Sequence, residues 1–171
     1  MKSSDFNYSD KLVLDASAFY SGIHIFSGKK CYTTSKVFDE INHIKKSFSI
    51  MESLIDSGNL IIQDPSDEII DFVISKSKQI GNYNSLSSAD ISIISLAYDL
   101  KLTLITDDFA VQNLSLILGI NVHSLGNSGI KKLRRYINYC PCCGKIYNNQ
   151  IECSACGVKI KRKYKKSNIS S

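Results

Sequence analysis

Two cysteine pairs near the C-terminus, Cys140-Pro-Cys-Cys143 and Cys153-Ser-Ala-Cys156, restrict the fold of their segment more than any other feature of the chain. A Cys-x-x-Cys step places two thiolates on one tight turn, and a tetrahedral Zn²⁺ needs four such ligands converging on one point. Gly144 and Gly157 follow the two pairs directly, where the turn must let backbone N–H groups face the sulfurs. Residues 144–152 lie between the pairs, enough for a short hairpin that folds one knuckle onto the other. The expectation is a zinc ribbon with one structural Zn²⁺ on Cys140, Cys143, Cys153 and Cys156. Two disulfides or a redox pair are the alternatives, and nothing suggests an oxidising compartment. Cys142 is then a free thiol inside the first knuckle, and the distant Cys31 is assigned to packing.

The charge is divided along the chain. Residues 129–171 hold 11 Lys/Arg against the single acid Glu152, while residues 1–128 hold 10 Lys against 15 Asp/Glu. An acidic body with a basic tail points to a polyanionic partner for the tail. Tyr136, Tyr139, Tyr147 and Tyr164 are interleaved with that charge, which favours nucleic acid over a solubilising tail. The candidate contacts are Lys131, Lys132, Arg134 and Arg135 before the ribbon, and Lys159, Lys161, Arg162, Lys163, Lys165 and Lys166 after the second knuckle. No apolar run approaches the roughly 18 residues of a membrane span, so no membrane partner is expected. The start, Met1-Lys-Ser-Ser-Asp-Phe-Asn7, lacks a basic-then-apolar signal, so a cytoplasmic address is expected.

The first part of the chain alternates strand and helix patterns. Lys11-Leu-Val-Leu14 reads as a buried strand, with a short helix from Ser17 and a loop or small hairpin over Ser21–Gly28. Tyr32-Thr-Thr-Ser35 leads into a helix carrying Val37, Ile41 and Ile44, and another helix runs from Phe48 to Asp56. Strands follow at 60–62, 102–105 and 121–125, separated by helices at 67–80, 87–101 and 109–118. Such alternation predicts an α/β fold with a parallel central sheet covered on both faces. Gly126-Asn-Ser-Gly129 marks a boundary, with a linker over 126–137, the ribbon over 138–160 and a basic, disordered tail over 161–171.

Sites in parallel sheets form beyond the carboxyl ends of the strands. Asp15 ends one strand there, and Asp107 and Asp108 end another. Asp90 stands in the first turn of the helix between them, and Glu40 sits in an earlier helix. Converging carboxylates repel one another unless cations are bound, and hard oxygen ligands suit Mg²⁺ or Mn²⁺. Each acid also has an ordinary reading. Asp90 completes a capping box with Ser87, Glu40 is a solvated helix residue, and Asp107 or Asp108 caps the next helix. Asp15 is harder to dismiss, because a carboxylate directly after a buried strand is costly unless something binds it. His24, His43 and His123 form no motif, although His43 is one turn from Glu40.

Four local words carry a resemblance: Leu12-Val-Leu-Asp-Ala-Ser-Ala-Phe19, Val37-Phe-Asp-Glu-Ile41, Leu86-Ser-Ser-Ala-Asp-Ile91 and Leu104-Ile-Thr-Asp-Asp-Phe109. They are similar to the motifs of the PIN-domain family, which implies a Rossmann-like fold over residues 1–125 and a metal-dependent ribonuclease. Asp15, Glu40, Asp90 and Asp108 fall on that family's acidic positions, with Asp107 as a neighbour able to replace Asp108. Ser17 and Thr106 match its hydroxyl residues. A PIN domain followed by a four-cysteine ribbon resembles the endonucleases that mature the 3′ end of small-subunit (16S-type) ribosomal RNA, in their archaeal layout. The resemblance implies one or two Mg²⁺ or Mn²⁺ ions, precursor ribosomal RNA and the small-subunit particle as partners, and, since PIN domains often pair, a homodimer. A non-catalytic RNA-binding assembly factor and a toxin-like PIN ribonuclease are the competing readings.

Overall fold

The computed structural model describes residues 11–22, 28–41, 45–126, 129, 132–147 and 150–168. His24, His43 and Lys131 lie outside them. Chain order is β1 (Lys11–Leu14), α1 (Ala16–Gly22), β2 (Lys30–Thr33), α2 (Ser35–Ile41), α3 (Lys45–Asp56), β3 (Leu60–Ile62) and α4 (Asp67–Gln79). A 3₁₀ turn (Tyr83–Ser85), α5 (Ser88–Leu100), β4 (Thr103–Ile105), α6 (Phe109–Ile117) and β5 (Val122–His123) complete the first domain. Then come β6 (Lys132–Tyr139), β7 (Ile146–Tyr147) and β8 (Lys161–Asn168).

The first five strands form a parallel sheet in the order β3-β2-β1-β4-β5. Leu12, Val13 and Leu14 are fully buried because β1 is central, and its apolar run is the pattern of a strand covered on both faces. Crossovers leave β1 toward β2 and β3 on one side, while β4 and β5 lie on the other. The carboxyl ends of β1 and β4 therefore flank the point where strand order reverses, the usual place for a site in such sheets. Helix α5 packs across the sheet with Ile93, Ile94, Leu96 and Ala97 buried.

Two expectations needed correction. Residues 30–33, expected only to lead into a helix, form β2. A strand of four residues beginning at an exposed lysine has too short an alternation to stand out, and it is the partners β1 and β3 that make it a strand. The second correction concerns the expected linker over 126–137 and the expected disordered tail over 161–171. Residues 132–139 and 161–168 pair antiparallel along eight positions, from Lys132 opposite Asn168 to Tyr139 opposite Lys161. The cysteine turns bring the two flanks side by side, and residues opposite one another in a closed hairpin pair even when each strand alone is too polar to be recognised.

Candidate active site and cysteine cluster

The buried end of β1 organises the acidic site. Asp15 is only 5% exposed. Its Oδ1 accepts from the Ala16 N–H at 2.7 Å, and its Oδ2 accepts from Thr106 Oγ1 at 2.6 Å and Ser17 Oγ at 3.2 Å. Thr106 is held in turn by Gln112, whose side-chain amide donates to its carbonyl at 2.9 Å. Burial pushes the Asp15 carboxyl above its usual range, and the nearby Asp90 adds to the rise, while the three hydrogen bonds oppose it. Thus β1, β4 and α6 together fix one carboxylate in a place that penalises its charge.

Asp90 both caps and faces the site. Its Oδ2 accepts from the Ser87 N–H at 2.7 Å and its own N–H donates to Ser87 Oγ at 3.1 Å, closing a capping box. Its carboxyl is raised by burial first and then by Asp108. Glu40, near the end of α2, is raised by burial, then by Asp90 and by Asp15. The four carboxylates are therefore electrostatic neighbours. They are not a closed shell: among the described residues, the four cysteines are the group of Cys, His, Asp or Glu whose ligand atoms gather within 4.8 Å. Their donors are carboxylate oxygens, the ligand type that suits hard cations.

The structure separates Asp107 from Asp108. Asp107 turns away to the segment after β5: its carboxylate accepts from Ser124 Oγ at 2.5 Å, the Leu125 N–H at 2.9 Å, the Gly126 N–H at 3.0 Å and Ser21 Oγ at 3.3 Å. Burial alone would raise this carboxyl, but the donors outweigh it and hold it below its usual range. A Cβ at Gly126 would stand 3.2 Å from Asp107 Oδ2, so the residue type there serves this anchor. Asp108 caps α6, its Oδ1 accepting from Ala110 at 2.6 Å and Val111 at 3.1 Å, and it faces Asp90. Sequence reasoning missed the Ser124–Gly126 cradle; Gly126 was visible, but only as a boundary signal.

These roles predict opposite outcomes for two adjacent substitutions. Asp107→Asn loses charge-assisted hydrogen bonds worth about 1–3 kcal/mol, so its melting temperature falls. Asp108→Asn keeps a good cap and melts with wild type, but, on the PIN resemblance, is expected to slow RNA cleavage. Thermal melts and cleavage assays on both proteins decide the matter; equal behaviour would contradict the division of roles.

The cysteine module repeats one turn twice. Cys140 N–H donates to Lys145 O and Gly144 N–H to Cys140 O, and Cys153 with Val158 and Gly157 with Cys153 make the same pair of bonds. Gly144 and Gly157 have φ of 73° and 63°, the left-handed region that glycine enters without strain. The sulfurs of Cys140, Cys143, Cys153 and Cys156 converge. Cys143 and Cys153 sulfurs stand 3.7 Å apart, and a tetrahedron with Zn–S bonds of about 2.3 Å has edges of about 3.8 Å. The donor set fits a closed thiolate site. Tyr147, whose hydroxyl lies 2.9 Å from Cys153 Sγ, pulls that thiol down to about 6. Cys142 is exposed and outside the cluster, while buried Cys31 is pushed up to about 11 by its burial.

Residues 12–100 match the family described as "PIN domain of ribonuclease". Over 154 residues the chain is 37% identical to the endoribonuclease Nob1 of Pyrococcus abyssi, covering 88% of this chain and 92% of that protein. The chain belongs to the Nob1 family of PIN-domain endoribonucleases. A second member, the endoribonuclease Nob1 of Methanothermobacter thermautotrophicus, is 36% identical over 160 residues and covers 90% of this chain and 92% of its own. The 20S-pre-rRNA D-site endonuclease NOB1 of Saccharomyces cerevisiae is 35% identical over 83 residues, 47% of this chain and 17% of that protein. The two archaeal alignments cover 88% and 90% of this chain and so extend past the PIN domain.

Proposed function

We propose that this endoribonuclease cuts precursor small-subunit ribosomal RNA near its 3′ end, in the cytoplasm and on the small-subunit particle. The observation that carries the reading is the placement of Asp15, Glu40, Asp90 and Asp108 as mutually repelling carboxylates where β1 and β4 end, in a chain similar along most of its length to the Nob1 proteins. These four acids would hold one or two Mg²⁺ or Mn²⁺ ions. Bound there, such ions supply a water of lowered pKa and neutralise charge on the phosphodiester.

The chain's own residues prepare that chemistry. Thr106, Ser17 and the Ala16 N–H fix the orientation of Asp15. Ser87 fixes Asp90 through the capping box, and the start of α6 fixes Asp108. Because orientation comes from backbone N–H groups and the hydroxyls of Thr106 and Ser17, little reorganisation remains when substrate arrives. Asp107 anchors the segment that leaves the domain toward the ribbon.

The second module would hold RNA. Register places Arg134 opposite Lys166, Arg135 opposite Lys165 and Tyr136 opposite Tyr164, with Lys161, Arg162 and Lys163 toward the cysteine end. Basic residues set opposite one another along a ladder are a pattern that a polyanion would favour. Lys159, Lys132 and Lys131 extend the same basic segment in sequence. One Zn²⁺ on the four cysteines would close it. Among the described residues no helix is long and apolar enough to cross a membrane.

The test of the function is mapping. Purified protein with Mn²⁺ is expected to cut a precursor RNA spanning the small-subunit 3′ end at one position, leaving a 5′-phosphate downstream. Cutting scattered through unstructured RNA would favour a toxin-like nuclease, and binding without cutting an assembly factor.

Proton linkage gives a second test. Asp15, Glu40 and Asp90 have folded-state values above their ordinary 3.8, 4.5 and 3.8. The folded state then binds the extra protons, so their contribution is favourable at acidic pH and is lost as pH rises through the raised values. Divalent cations remove that penalty only when the acids are ionised. Mn²⁺ is therefore expected to raise the melting temperature at pH 7 and not at pH 4; an equal rise at both would contradict the acidic site.

A further inference from the structure

A cleft of about 140 Å³ opens beside the acids, bounded by α2, α4, the 3₁₀ turn and the start of α5. Ile70, Ile74 and Ile91 give it an apolar wall, and Lys36, Tyr83 and Ser87 stand at its polar side. Two connections join it to the acidic site. Ser87 lines the cleft and its N–H donates to Asp90 at 2.7 Å. Lys36 lies four residues before Glu40 on α2, so their Cβ atoms are neighbours about 6 Å apart on one helix face.

Tyr83 is 39% exposed, although it belongs to a large aromatic type that could pack. Lys78 Nζ lies 5.0 Å from the centre of its ring and adds positive charge there. Arg162 of β8 donates to the carbonyl of Gly81, two residues before Tyr83, which brings the basic ribbon to the same corner. An apolar wall, an exposed aromatic ring and flanking ammonium groups are the combination that binds a splayed base and its phosphate in single-stranded RNA. A cleft for an apolar peptide would have no use for this continuity with the acids.

We propose that the cleft receives the base of a nucleotide adjoining the cleaved phosphodiester, with Tyr83 as its stacking platform and Lys36 on its phosphate. The proposal rests on the nuclease reading above and adds a subsite that selects where the strand is cut. Tyr83 is a positioning residue, acting through the substrate's alignment.

The test uses the full chain and short precursor RNAs in which one abasic nucleotide is moved stepwise through the cut site. Single-turnover cleavage and fluorescence-anisotropy binding are measured for wild type, Tyr83→Ala and Tyr83→Phe. In wild type, one abasic position beside the cut is expected to cost about tenfold, the scale of losing one base stack. Tyr83→Ala should lose the same factor on intact RNA and nothing further at that position, while Tyr83→Phe behaves as wild type. Losses that multiply, or insensitivity at every position, overturn the subsite and leave cleavage itself intact; an unaffected RNA response in Tyr83→Ala would assign the cleft to a protein segment. Binding that retains the abasic–Tyr83 coupling without any cleavage would instead refute the nuclease reading and keep the subsite.

Discussion

Asp15→Asn is expected to lower the rate of precursor cleavage by on the order of 10³-fold, the scale of removing a preorganised electrostatic group from an active site. The substitution keeps volume and shape at a position that is 5% exposed. Asparagine can still accept from the Ala16 N–H and meet Thr106, so the end of β1 keeps its packing. What disappears is one negative charge from a set that has to bind divalent cations. RNA affinity should change little, since the substitution leaves the basic residues of the ribbon untouched. Burial already raises the Asp15 carboxyl, so the variant should melt no lower than wild type at neutral pH without divalent ions. Cleavage at the wild-type rate by the folded variant would remove Asp15 from the catalytic set and with it the reading of this edge as the active site.

The second large effect concerns the ribbon. One Zn²⁺ per chain is expected by elemental analysis, and its removal should unfold residues 132–168 while the parallel sheet persists. Structural zinc contributes roughly 10–16 kcal/mol in small finger peptides, more than a module this size gains from its own core. Two of the eight paired positions of β6 and β8, Arg134 with Lys166 and Arg135 with Lys165, set basic residues opposite one another, and of the cysteines the ladder flanks only Cys140 and Cys153 are buried. Hydrogen exchange should show loss of protection confined to this module after chelation. Cys153→Ser should lose the metal, and Cys142→Ser should retain it. A ladder that survives metal removal, or zinc loss in Cys142→Ser, would refute the four-sulfur site.

Much of the fold was legible because it is locally determined. The apolar run at Leu12–Leu14, the capping pair Ser87 and Asp90, and the knuckle glycines each signal their own structure through neighbours a few residues away. β2 was not legible, since Lys30–Thr33 becomes a strand only between β1 and β3. The β6–β8 ladder was hidden for a similar reason. Two polar, basic segments separated by the cysteine turns look like a linker and a tail until the turns set them side by side.

The sequence by itself determined the kinds of chemistry available: four soft sulfur ligands at one end, hard carboxylates at strand ends elsewhere, and a basic segment for a polyanion. Those follow from residue type and short spacing. Tertiary structure alone decided which residues meet. It sent Asp107 to Ser124, Leu125 and Gly126 and left Asp108 beside Asp90. It also brought the corner at Gly81 against Arg162, 81 residues away. Adjacent carboxylates on one strand end point in different directions, and only the packing around them determines which one faces the site.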